Sequence, residues 1–122
     1  MIDINHEDHS LIKSYIILPR VLSVFERDIG LIKTTLKTPG PYVDVITEAQ
    51  RKLTKDIYDV RKQFRERDIK VYEECTDDDG VTARYKCRGY ESEMRIRWSM
   101  MTPQVVLIMQ RCLGLSTGDL IG

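Results

Sequence analysis

The sequence predicts an α+β domain: a long antiparallel helical hairpin, a three-stranded antiparallel β-meander and a C-terminal helix. Three observations predict it. Apolar residues recur at helical spacing over residues 11–36 and again over 42–64. The period then switches to two over 69–98, and a Thr-Pro pair at 102–103 opens a last helical stretch that stops at Gly114. At 122 residues the chain fits a single domain, 1–122, large enough for a core and too small for two.

The first helix, residues 11–37, organises the rest. Leu11, Tyr15, Leu18, Leu22, Phe25, Ile29, Ile32 and Leu36 follow at spacings of 4, 3, 4, 3, 4, 3 and 4. That is the a/d stripe that seats one helix against another. Ile17, Val24 and Leu31 repeat every seven residues on nearly the opposite side, so this helix has to be covered twice. Residues 1–9 read as a lead-in, with Asp8 or Ser10 as the N-cap. Pro19 kinks the helix and Gly30 interrupts its propensity, but neither breaks the heptad phase, so the helix continues through both. Thr38-Pro39-Gly40-Pro41 excludes helix and leaves a turn short enough to force an antiparallel neighbour. The second helix, residues 42–67, completes the hairpin of 10–67. It carries the stripe Tyr42, Ile46, Ala49, Leu53, Ile57, Val60 and Phe64 and is otherwise charged, with i,i+4 partners such as Glu48 with Lys52. It is one-sided.

The meander occupies 69–98. Ile69, Val71, Glu73 and Cys75 alternate with more polar neighbours, as do Val81, Ala83, Tyr85 and Cys87. The two sets share a side if Asp77 opposes Val81. That register leaves the loop Asp78-Asp79-Gly80, with Gly80 in the left-handed position of a G1 bulge, and sets Glu74 against Arg84. After Gly89, Tyr90, Ser92, Met94, Ile96 and Trp98 alternate with Glu91, Glu93, Arg95 and Arg97 to give the third strand. Thr102 as N-cap and Pro103 at N1 start the final helix, 102–113. Its apolar positions Val105, Val106, Ile108, Met109, Cys112 and Leu113 spread over about 160° at about 100° per residue, which predicts deep burial. Residues 115–122 are a small-residue tail.

Composition excludes several classes. Hydrophobic residues at 42% and charged residues at 31% describe a globular chain. Lys plus Arg and Asp plus Glu number 19 each, so no global field draws in nucleic acid or an anionic membrane. The most apolar stretch, 11–29, holds Lys13, Arg20, Glu26, Arg27 and Asp28, too many charges for a span of about 20 residues. The acidic N-terminus lacks a signal-peptide pattern, so a cytoplasmic protein without membrane contact is expected. Cys75, Cys87 and Cys112 have neither metal nor disulfide spacing, and His6 with His9 are too few to hold a metal. No nucleophile elbow, P-loop, GxGxxG or HExxH occurs, and the aspartates at 77–79 are turn chemistry. No catalytic residue, cofactor or metal is expected.

Two surfaces remain as candidates. The outer side of the meander gathers Lys70, Tyr72, Arg84, Lys86, Arg88, Arg95 and Arg97, the mixture that binds phosphates and stacks bases or receives an acidic protein, diluted by Glu74, Glu91 and Glu93. The second stripe of the first helix, Ile17, Val24 and Leu31, suits packing across a two-fold axis. The segment Tyr85-Lys86-Cys87-Arg88-Gly89-Tyr90, followed by Arg95-Ile96-Arg97-Trp98, resembles small uncharacterised proteins of Gram-positive phages and mobile elements. That resemblance implies an accessory or regulatory role and transfers no functional residue. The expectation is a small non-enzymatic interaction or regulatory protein that forms a homodimer, with nucleic-acid binding through the meander as the alternative.

Overall fold

The start of the first helix lies earlier than its apolar stripe suggests. In a computed structural model, which describes residues 4–115, the chain runs α1 (His6–Thr35), α2 (Gly40–Glu66), β1 (Ile69–Thr76), β2 (Gly80–Cys87), β3 (Tyr90–Arg97) and α3 (Trp98–Cys112). The side chain of Asn5 accepts from the Asp8 N–H at 2.8 Å, and the Asn5 N–H donates to the Asp8 carboxylate at 3.1 Å. This reciprocal capping box starts α1 at His6. Residues 6–9 of the expected lead-in are therefore the first turn, and neither Asp8 nor Ser10 is the N-cap. Residues 1–3 of that lead-in and 116–122 of the expected tail lie outside the described residues.

The helix runs unbroken through Pro19 and Gly30 to Thr35. Beside Pro19, the Arg20 guanidinium donates to the Ile16 carbonyl at 2.7 Å. The turn that follows is as long as expected but lies two residues earlier, because α1 ends at Thr35 and α2 already begins at Gly40 with Pro41 in its first turn. The N–H that proline lacks has no helical partner there anyway.

Most of the two predicted stripes meets as expected. Leu18, Phe25 and Ile29 are buried with Ala49, Leu53, Val60 and Phe64, and Tyr15 stacks on Phe64 with ring centroids 4.8 Å apart. The sheet adds Val81, Ala83, Tyr85, Cys87 and Ile96 to the same core, together with Ile12 and Ile16, which belong to neither stripe. Ile17, Val24 and Leu31 grade from 3% exposed through half-buried to 56% exposed. This second side of α1 is thus covered at Ile17 and bare at Leu31, while Phe25 and Ile29 on the other side stay buried. Ile17 is core in this chain, not part of an oligomer face.

The strand order is β1-β2-β3, all antiparallel. The expected register is wrong by one residue near the loop and by two at the far end. Thr76 faces Val81 and Glu73 faces Arg84, while Val71 faces Tyr85 and Ile69 faces Cys87. The mismatch is absorbed by a bulge at Tyr72, between Val71 and Glu73. An extra residue reverses the alternation, so Glu74, now opposite Ala83, reaches across to Arg20 of α1 at 3.5 Å. The expected Glu74 pairing with Arg84 is replaced by Glu73, at 3.5 Å. Gly80 is not the left-handed residue of a bulge either. It is a strand residue paired with Arg97, and a Cβ on it would sit 2.1 Å from the Ile96 carbonyl oxygen. Close approach of two backbones is what requires glycine there.

No linker separates β3 from α3. The last helix begins at Trp98, whose N–H donates to the Asp79 carbonyl at 2.9 Å and whose indole N–H donates to the Asp77 carbonyl at 3.1 Å. Thr102 is therefore interior, its hydroxyl donating to the Trp98 carbonyl, and Pro103 lies in the second turn. The stop near Gly114 is as expected. Gly114 takes φ +98°, with Leu115 N–H donating to the Gln110 carbonyl and Gly114 N–H to the Arg111 carbonyl, a Schellman motif. Deep burial of this helix is not found: only Met101 and Cys112 are buried, and Val106 is exposed.

Candidate functional site

The most tightly connected polar group in the molecule was missed by sequence reasoning. Asp8 is completely buried. Its carboxylate accepts from Arg88 at 2.6 Å, from Arg67 at 3.2 Å and from the Asn5 N–H at 3.1 Å. Arg67 also reaches Glu7 at 2.6 Å. Burial pushes the Asp8 carboxyl up, but the hydrogen bonds from Arg88, Asn5 and Arg67 outweigh it and hold the group below the usual carboxylate range. Arg88 and Gly89 form a two-residue hairpin turn, both at positive φ (+51° and +86°), as a type I′ turn requires. Asp68, ending α2, is also at positive φ. Arg88 N–H donates to the Asp68 carbonyl, and its guanidinium donates to the Arg67 carbonyl at 3.0 Å. The first turn of α1, the α2–β1 corner and the β2–β3 turn are thereby fastened at one point. All its valences are internal, so its chemistry is structural.

Arg88, expected on the outer face of the meander, is thus turned to the α1 end of the domain. Of the other expected contact residues, Lys70, Arg84, Lys86 and Arg95 share the outer face with acids, while Arg97, opposite Gly80 at the end of β3, also borders a cleft beside Met94 and Ile96. Arg84 lies 3.5 Å from Glu73 and 3.7 Å from Glu93, and Lys86 lies 3.9 Å from Glu91. Arg95 grips both carboxylate oxygens of Asp77 at 3.1 and 3.2 Å. Asp77 also accepts from the N–H groups of Asp79 and Gly80, and with Arg95 as the largest influence its pKa falls to about 2. The acidic loop is a clamped turn. Lys70 stands opposite Lys86, and Tyr72 is exposed at its bulge.

The apolar surface is concentrated elsewhere, at the far end of the hairpin. Leu31, Leu36, Tyr42 and Val45 are 56%, 43%, 58% and 55% exposed. Val45 shares a cleft of about 360 Å³ with Cys112 and Leu113 of α3, so the exposed Leu113 continues the patch. The charges beside it are of both signs: Lys33 and Lys37 where α1 ends, Asp44 and Glu48 where α2 begins. Burial pushes the Cys87 and Cys112 thiols up, which leaves them unreactive packing groups. No described helix is long and apolar enough to cross a membrane.

An uncharacterised protein of Bacillus subtilis (strain 168), YhjD, is 32% identical over 96 residues, which cover 78% of this chain and 80% of the relative. No solved structure matches. The model of the family described as "YhjD protein" matches residues 3–117, nearly the whole chain, and the chain belongs to that family.

Proposed function

We propose that this protein is a non-enzymatic interaction module of the cytoplasm that works as a homodimer, the far half of the helical hairpin being the contact surface. The observation that carries this reading is the bare apolar tip: Leu31, Leu36, Tyr42 and Val45, each more than two-fifths exposed. At 30 residues, α1 is about 45 Å long. An eight-residue strand spans only about 27 Å, so the hairpin outruns the sheet that covers it. Two helices alone bury one side each, and a second copy laid against them makes a four-helix layer with a shared core. The mixed signs at the tip favour self-pairing over a strongly charged partner. A contact surface of this kind fits the accessory or regulatory role implied by the likeness to phage and mobile-element proteins. Nucleic-acid binding through the meander is the weaker reading, because Arg84, Lys86 and Arg95 are neutralised in place and Arg88 is withdrawn.

Light scattering over a concentration series tests it. The wild type is expected to reach twice the monomer mass, and Leu31→Asp with Val45→Asp to hold it at monomer mass with unchanged helical circular dichroism. A wild type that stays monomeric at the highest concentration, or a double variant that still dimerises, overturns the proposal.

A further inference from the structure

The first turns of α1, the end of β3 and the start of α3 enclose a cleft of about 570 Å³, a size typical of small-molecule sites. Its floor is apolar, made by Met94, Ile96 and Met100. Its walls carry His6, His9, Lys13 and Arg97, and no carboxylate among the described residues lines it. On a chain of zero net charge this is an unusual local excess. Arg95 also borders the cleft but is turned to Asp77. Among the described residues, Lys13, Arg97, His6 and His9 form no ion pair and no side-chain hydrogen bond.

Basic groups without carboxylates beside an apolar floor match one ligand chemistry. We propose that this cleft binds a small amphipathic anion, with a carboxylate or phosphate head toward Lys13 and Arg97 and a short hydrocarbon body over Met94, Ile96 and Met100. The head is drawn by two cations that form no ion pair among the described residues, although Arg97 also borders a neighbouring cleft with Asp78 and Asp79. The body gains by leaving water, each buried methylene strengthening binding about fourfold. A merely solvated basic rim makes a different demand: it holds inorganic phosphate as well as an alkyl phosphate, because nothing in it uses the tail.

The experiment is a titration of the full chain carrying ¹³C-methyl methionine, with octanoate, octyl phosphate, octanol and inorganic phosphate in parallel. Octanoate and octyl phosphate are expected to shift the methyl signals of Met94 and Met100 and to leave Met109 in place, and their relative affinity identifies the preferred head. The double variant Lys13→Gln with Arg97→Gln is expected to weaken both by about tenfold or more, at an unchanged melting temperature because both side chains are exposed and unpaired. Arg97→Lys should keep most of the affinity. Octanol binding as tightly as octanoate, inorganic phosphate as tightly as octyl phosphate, an unaffected double variant, or no shift with any ligand overturns the proposal.

Discussion

A carboxylate with no exposed surface and two arginines on it makes Asp8 the residue whose smallest change should cost the most. Asp8→Asn keeps the shape and the Asn5 cap but removes the charge that Arg88 and Arg67 share. The loss is expected to be about 2 kcal/mol, the scale of charge-assisted hydrogen bonds whose partners can still reach water. Urea unfolding at neutral pH measures it. The folded-state pKa of Asp8 is depressed, so its contribution is complete above the unfolded value of about 3.9 and disappears as pH falls through the lower folded value. The gap between wild type and Asp8→Asn should therefore be constant from neutral pH to about 5 and close in stronger acid. A gap that widens on acidification contradicts the assignment. None of this was legible in the sequence. Asp8 reads as a cap candidate and Arg88 as one more basic residue of a polar face, because their partnership spans 80 positions and leaves no periodic trace.

At the scale of elements, the apolar alternation was legible where one side of a strand is clearly apolar, and failed where it is not. β2 alternates Val81, Ala83, Tyr85 and Cys87 with polar residues, and all four are buried. In β1 the bulge at Tyr72 exchanges Glu73 and Cys75 for Glu74 and Thr76, two pairs so alike in polarity that no pattern distinguishes them. The Thr-Pro signal at 102–103 misplaced the start of α3 for a related reason. Carbonyls of the Asp loop receive both the Trp98 N–H and its indole, and that tertiary cap overrides a local one. Gly80 offers the sharpest test of the corrected register. Gly80→Ala should destabilise by about 2 kcal/mol or more, because the new methyl meets the Ile96 carbonyl and backbone has to move. Thermal unfolding decides it: a variant within a degree of wild type means that β2 and β3 do not approach as described. Under the expected left-handed bulge the penalty has a different origin, and Gly80→Asn would recover much of it. Under the observed packing the larger Asn is worse than Ala.

The whole molecule has two ends of unlike construction. At the α1 start, helices, sheet and α3 converge in layers. At the hairpin tip the sheet is absent, only the end of α3 comes near, and Leu31, Leu36, Tyr42 and Val45 stand in the open. The helical hairpin, meander and last helix were all legible, since each rests on a strong period and clear breaks at 38–41 and 77–80. The distribution of cover along α1 was not, because Ile17, Val24 and Leu31 are equivalent in sequence and differ only in how far the sheet extends.

The fastening at Asp8 also bears on the order of events when the chain folds. It joins residue 8 to residues 67 and 88, 59 and 80 positions away, so it closes long loops, and such closures come late in two-state folding, after the local hairpins have formed. A contact made after the transition state governs how long the native state lasts and has little influence on how fast it is reached. In stopped-flow kinetics, Asp8→Asn should therefore leave the refolding rate within about twofold and speed unfolding by roughly thirtyfold, the whole of a loss of about 2 kcal/mol. Slowed refolding would place this corner in the nucleus instead. Read this way, a buried carboxylate near the N-terminus is the lifetime control of the fold.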